Sequence, residues 1–184
     1  MKNAFKFKEF EVDQTACAMR INTDGVLLGA IGTKNNALNI LDIGTGRGVI
    51  ALMMAQRFPE AMVDAVEIDE SAAFAAAKNA EYSSFSERVK VMHTAIEDYT
   101  SDKRYDLVVS NPPYFVNDLK KPEYRKGVAR HAEAVFFEDM LRSINQLLSK
   151  DGRFWFILPV KQAEVTISIA AEHDLFPAEI IHLH

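Results

Sequence analysis

Cysteine is nearly absent from this chain: Cys17 stands alone, so an intramolecular disulfide is excluded. With no Cys or His pair at ligand spacing, a metal site is not expected either. The bland role of Cys17 is that of a small buried hydrophobe. Long apolar runs are missing too, since nothing approaches the roughly 18 consecutive apolar residues of a membrane span, and no membrane partner is expected. The charged start, with Lys2, Lys6, Lys8 and Glu9, is not followed by the apolar core of a secretory signal, which makes a cytoplasmic location the expectation. An excess of positive charge is also lacking. With 21 Lys and Arg against 26 Asp and Glu, the net charge is -5, so any contact with nucleic acid has to be a local patch. Repeats and low-complexity tracts are absent, and 184 residues suit a single domain with one core. A monomer is expected.

What is present, from position 38 onward, is an alternation of short β-branched runs with longer amphipathic or Ala-rich runs. That is the pattern of a mostly parallel sheet covered by helices, an α/β fold. The pattern predicts strands over residues 38–43, 62–67, 89–92, 105–110, 152–159 and 179–183. It predicts helices over 49–57, 71–82, 136–148 and 162–173. Asp69 and Glu70 stand where a helix N-terminus prefers carboxylates, ahead of strong helix formers.

Between the first of these strands and its helix lies a glycine loop, Gly44, Gly46 and Gly48, preceded by Asp42. Glycines there let backbone approach a ligand that Cβ atoms would exclude. Dinucleotide loops space their glycines G-x-G-x-x-G around a pyrophosphate. Here Val49 occupies the place of the third glycine, and Asp42 would repel phosphate. A ligand carrying an amino-acid cation fits better, and the methionine part of S-adenosylmethionine is one. Glu67, at the end of the second strand and followed by Ile68, is placed to accept from both ribose hydroxyls. Asp98, in the pair Glu97–Asp98 after the third strand, is placed to accept from the adenine amine. The plainer reading makes the glycines a tight turn and Glu67 a solvated strand end; acids after three consecutive strands weigh against it.

The most specific element is Asn111, Pro112, Pro113 and Tyr114, directly after the fourth predicted strand. Two prolines cannot continue a central strand, and they stiffen the chain into an extended turn. An amine conjugated to a ring is a poor nucleophile. Two acceptors that hold its N–H bonds concentrate charge on nitrogen and aim its lone pair at a sulfonium methyl. The Asn111 side-chain oxygen and the Pro112 carbonyl form such a pair, with Tyr114 stacked on the base. The plainer reading here is a structural Pro-Pro turn with packed aromatic residues.

In this order the two elements resemble the class I Rossmann-like methyltransferases, over about residues 38–159. The motif is shared by adenine-N6 methyltransferases, release-factor glutamine methyltransferases and guanine-N2 enzymes, which all act on a planar NH2 group. The segment from Phe10 to Ala30, with Gln14, Cys17, Ala18, Met19, Arg20, Thr23, Asp24, Leu28 and Gly29, is similar to the start of bacterial valine-tRNA adenine-N6 methyltransferases. It departs from them at Thr15, Ala16 and Ile31. The resemblance implies methyl transfer from S-adenosylmethionine, leaving S-adenosylhomocysteine, to the adenine beside the anticodon of a valine tRNA. It also implies a segment, 1–37, in which Thr23 and Asp24 help cover the cofactor, ahead of a Rossmann-like core over 38–184. An N-cap role for Thr23 and Asp24 is the local alternative.

Such enzymes resemble a seven-stranded sheet with helices on both faces. This chain stops near the end of a sixth strand, so the last strand is expected to be missing and the chain to be truncated or shortened. For tRNA, residues 117–131 read as a mobile basic loop in which Lys120, Lys121, Arg125, Lys126 and Arg130 outnumber Asp118 and Glu123 by three. It is placed to grip phosphates around a flipped base, with Lys103 and Arg104 extending the patch. The plainer reading is a solvated loop. The competing functions are a protein glutamine-N5 methyltransferase, disfavoured by the basic loop, and a cofactor-binding domain without turnover. A dinucleotide oxidoreductase is disfavoured by Val49.

Overall fold

A computed structural model describes residues 4–14, 21–114 and 123–183, with the backbone alone over 123–130. Cys17, Lys120 and Lys121 lie outside the described residues. The elements run β1 (Ala4–Lys6), β2 (Glu11–Asp13), α1 (Thr23–Ile31), β3 (Asn39–Ile43), α2 (Val49–Arg57), β4 (Met62–Glu67), α3 (Glu70–Glu81), β5 (Val89–His93), β6 (Tyr105–Ser110), α4 (Glu123–Leu147), β7 (Leu148–Phe156) and α5 (Val160–Glu172). Two compact units emerge: Met1–Pro112 with Leu147–Ile157, and Pro113–Gln146 with Leu158–His184.

The first unit is built on a five-stranded sheet in the order β5-β4-β3-β6-β7, with every pair parallel. This is the expected α/β architecture. Its central strands are those with the most continuous apolar runs. Ile40, Leu41, Val63, Ala65, Leu107, Val108 and Val109 are all fully buried, as strands covered on both faces must be. Short parallel strands need a helix to return the chain, and α2 and α3 supply it. Asp69 caps α3 by accepting from the Ala72 N–H at 2.8 Å, and the bond from the Ser71 hydroxyl, with this one second, holds its carboxyl below the usual range. Arg88 closes the other end of α2. Its guanidinium donates to the carbonyls of Ala55, Phe58 and Ala61 at 2.7, 3.1 and 3.0 Å, three acceptors that helix geometry leaves unpaired or that follow the helix end. Arg88→Met, which keeps the length and removes the donors, is expected to cost about 2 kcal/mol. A scanning melt should then show a midpoint lower by roughly 4–8 °C.

Ahead of the sheet, β1 and β2 pair antiparallel as a small hairpin, and Phe10 and Val12 bury into the same core as Leu28, Ile50 and Leu52. Arg57 donates to the carbonyls of Gly29 and Gly32 at 2.8 and 2.7 Å and so fixes the C-terminal end of α1 to α2.

In the second unit, α4 buries Phe137, Met140, Leu141 and Ile144, while Arg142 bridges Glu138 and Asp139 on its polar side. Two expectations are corrected here. Residues 123–131, read as part of a basic loop, have helical backbone. Apolar periodicity sets in only near Phe136, but Glu, Arg, Lys and Ala are strong helix formers and extend the helix upstream of its buried face. The strand expected over 179–183 does not form. All residues from 176 to 183 are exposed, and without a neighbouring ladder an extended segment leaves its N–H and C=O groups to water. Among the described residues, no helix is long and apolar enough to cross a membrane.

Candidate active site

The strand order reverses between β3 and β6: the chain steps outward from β3 through β4 to β5, then crosses back to place β6 on the other side of β3. Such a switch point opens a crevice at the carboxyl ends of the strands. Here Ile43 and Ser110 are register partners, and the Ser110 hydroxyl donates to the Ile43 carbonyl at 2.9 Å. The glycine loop and Asn111 therefore leave the sheet side by side.

The loop is held from below and left open above. The N–H groups of Gly44 and Thr45 donate to the Val66 carbonyl at 2.9 and 3.1 Å, and that of Gly46 donates to the Glu67 carboxylate at 2.8 Å. Gly44 and Gly46 have φ of 68° and 58°, a region that side chains disfavour. A Cβ placed on either would meet nothing within 4 Å, so their faces border free space. Beneath them Asp42 is fully buried. One of its oxygens accepts from the Thr45 hydroxyl at 2.6 Å and the Ala51 N–H at 3.0 Å, tying the loop to the first turn of α2. The other has no hydrogen-bond partner among the described residues. Asp42 thus braces the loop through one oxygen and leaves the other uncommitted.

Burial pushes the Asp42 carboxyl up from 3.8 to about 7, against the two hydrogen bonds that lower it and with the Glu67 charge adding to the rise. The unfolded chain ionises this group near 3.8, whereas the folded chain keeps the proton until about 7. Between those values the folded state holds more protons, so the contribution to stability falls as pH rises and is lost above 7. Asp42→Asn is expected to remove a slope of up to about 1.4 kcal/mol per pH unit. Urea unfolding from pH 4 to 8 measures it; identical pH profiles for the two proteins would show that the carboxyl ionises normally.

Glu67 spends its oxygens on Gly46 and on the Asp69 N–H, the latter at 3.0 Å, and each oxygen retains a second lone pair. Ile68 beside it is 71% exposed, an apolar surface at the mouth of the crevice. Glu97 and Asp98 are exposed in the turn after β5. Thr23 and Asp24 open α1, but the cap of that helix is Asn22, whose side-chain oxygen accepts from the Gly25 N–H at 2.8 Å. The Asn111 amide nitrogen donates to that same Asn22 oxygen at 3.4 Å, which brings the start of α1 to the switch point. The Asn111 oxygen is buried and has no partner among the described residues. Pro112 is buried, and Pro113 and Tyr114 are exposed. Lys103 is committed to Asp64 at 2.8 Å, so it does not extend a free basic patch.

Against known proteins, a family model described as the methyltransferase small domain matches residues 22–169. A protein of Pedobacter heparinus named tRNA1(Val) (adenine(37)-N6)-methyltransferase is 67% identical over 184 residues, 100% of this chain and 79% of the relative. The chain belongs to the tRNA1(Val) (adenine(37)-N6)-methyltransferase family. A Parabacteroides distasonis member of the same name is 43% identical over 181 residues, 97% of this chain and 76% of its own length. Among solved structures, TrmN from Thermus thermophilus superposes with a TM-score of 0.54 at 22% identity, covering 77% of this chain and 36% of that one. The O-methyltransferase of a Brevibacillus brevis trans-AT PKS multienzyme, in complex with S-adenosyl-L-homocysteine, gives 0.58 at 16% identity, covering 81% of this chain and 50% of that one. Those likenesses speak for the fold, that of Rossmann-like methyltransferases.

Sequence reasoning missed three residues that shape this family member's site. Asn22 was legible as an N-cap, since Asn directly before Thr-Asp-Gly is a favoured start. Asn79 was not: it is buried and holds the Arg47 carbonyl at 3.0 Å while accepting from Asp13 N–H at 3.0 Å, contacts that join three separate segments. Thr45, inside the glycine loop, carries the hydroxyl that donates to Asp42, a contact that nothing in the spacing of the glycines announces.

Proposed function

We propose that the chain transfers the methyl group of S-adenosylmethionine to the N6 amine of adenine 37 in a valine tRNA. The observation that carries this reading is the buried, unpartnered oxygen of Asn111 beside the open face of the glycine loop. A buried acceptor without a donor costs roughly 1–3 kcal/mol, and a ligand N–H recovers it. The free protein keeps this oxygen covered, so the amine reaches it by displacing the cover.

The residues present fit the cofactor. Gly44 and Gly46 offer a backbone cradle, Glu67 two free lone pairs for hydroxyls, Ile68 an apolar face, Asp98 an acceptor, and the unpartnered Asp42 oxygen suits a ligand with a positive charge. Bound there, S-adenosylmethionine supplies an electrophilic methyl on its sulfonium. Asn111 and the Pro112 carbonyl hold the two N–H bonds of the target amine and turn its lone pair toward that methyl. Tyr114 offers its ring to the flat face of the base, and Lys120, Lys121, Arg125, Lys126 and Arg130 neutralise phosphates around it. A general base is not required, because the amine loses its proton readily once methylated.

The relatives' names supply the valine tRNA and the position. The test is transfer of labelled methyl to a valine tRNA transcript, followed by nucleoside analysis. Labelled N6-methyladenosine that vanishes when adenine 37 is replaced by guanine is the expected result. Cofactor binding without any labelled nucleoside would overturn the reading and leave a protein amide or a domain without turnover.

A further inference from the structure

We infer that Asn22 is a positioning residue for the methyl-transfer step, setting which end of the Asn111 amide meets the target amine. The inference rests on the reading of Asn111 as the acceptor for that amine.

An Asn side chain has two nearly isosteric ends, one that only accepts and one that only donates. Rotated by 180°, Asn111 would present NH2 to an amine, and the arrangement that raises the nucleophilicity of the amine would be lost. Something has to select the rotamer. In the structure the selector is the Asn22 oxygen, which accepts from the Asn111 amide nitrogen at 3.4 Å. The flipped state would set two carbonyl oxygens against each other at that distance.

The Asn22 amide is itself fixed. Its oxygen accepts from the Gly25 N–H at 2.8 Å, one of the N–H groups that the start of α1 leaves without an intrahelical partner. Helix geometry therefore orients Asn22, Asn22 orients Asn111, and the Asn111 oxygen is left buried and unpartnered, ready for a donor from outside. Gly25 makes the approach possible: a Cβ there would stand 3.1 Å from the Asn22 oxygen and 3.5 Å from the Asn111 nitrogen, wedged between cap and amide. The start of α1 lies 89 residues from Asn111 in sequence, yet it sets the polarity of the acceptor.

The test uses the full chain and valine tRNA, comparing Asn22→Ala, Asn22→Asp and Asn111→Ala with the double variant Asn22→Ala/Asn111→Ala. Asn22→Ala is expected to lower kcat about tenfold with the dissociation constant for S-adenosylmethionine unchanged, because one transition-state partner is misoriented rather than removed. Asn22→Asp keeps a cap and an acceptor and should return kcat to within about threefold of wild type. The double variant should be no slower than Asn111→Ala alone, since Asn22 acts through Asn111. Additive losses in the double variant, or an Asn22→Ala protein with wild-type kcat, would overturn the inference while leaving the assigned reaction intact. A wild-type protein that makes no N6-methyladenosine, or an Asn111→Ala protein that keeps full activity, would instead remove the reading on which it rests.

Discussion

Asn111→Ala is expected to slow methyl transfer by about 10²- to 10³-fold, the usual loss when one preorganised polar partner of a developing charge is removed. The dissociation constant for S-adenosylmethionine should stay where it is. The reason lies in the division of labour at the switch point. The Asn111 oxygen makes no hydrogen bond within the described residues, and its nitrogen makes one weak bond, at 3.4 Å, to Asn22. Truncating the side chain therefore removes little that the free protein uses. What disappears is the acceptor proposed for the target amine, an interaction that would be strongest while nitrogen attacks carbon. A loss in kcat and in kcat/KM of equal size, with cofactor titration unchanged, marks an interaction made in the transition state. A raised dissociation constant for the cofactor with kcat preserved would place Asn111 in the cofactor site instead.

Glu67→Ala is expected to do the reverse, weakening S-adenosylmethionine roughly 10²-fold, as loss of two hydrogen bonds to a charged acceptor would. At saturating cofactor, kcat should fall by only a few-fold. Two effects add. The carboxylate accepts from the Gly46 N–H at 2.8 Å and the Asp69 N–H at 3.0 Å, so its removal loosens the glycine loop at its middle and the entrance to α3. It also takes away the lone pairs offered to the ribose hydroxyls. Glu67→Gln, which keeps one acceptor oxygen, should fall between wild type and Glu67→Ala. Calorimetric titration of S-adenosylmethionine checks both. If Glu67→Ala left binding intact and abolished transfer, the two loops would have exchanged roles.

Much of the frame was readable in one dimension. Residues 49–57, 62–67 and 105–110 were expected as helix, strand and strand, and α2, β4 and β6 have those bounds. Each has its periodicity and its breaker close at hand: Gly48 before α2, Pro59 before β4, Pro112 after β6. Where breaker and periodicity separate, expectation fails. The polar first half of α4 has no apolar stripe to announce it, and the three-residue strands β1 and β2 are too short for any period to show. Residues 179–183 alternate as a strand should, but alternation without a neighbour to hydrogen-bond does not make one.

The candidate site divides in the same way. Sequence alone singled out the candidate residues for the chemistry, because the conformations a glycine loop needs and the stiffness of a Pro-Pro turn are local properties, written into neighbouring residues. It also determined the membership that the similar proteins bear out. Only the tertiary structure decided how those residues are held: that Asp42 lies buried beneath the loop, that Glu67 clasps Gly46, and that the Gly25 N–H and the Asn111 amide nitrogen donate to one Asn22 oxygen. Burial and hydrogen bonding between residues 21 and 89 positions apart depend on where the sheet places its strand ends. No spacing in the chain records that placement.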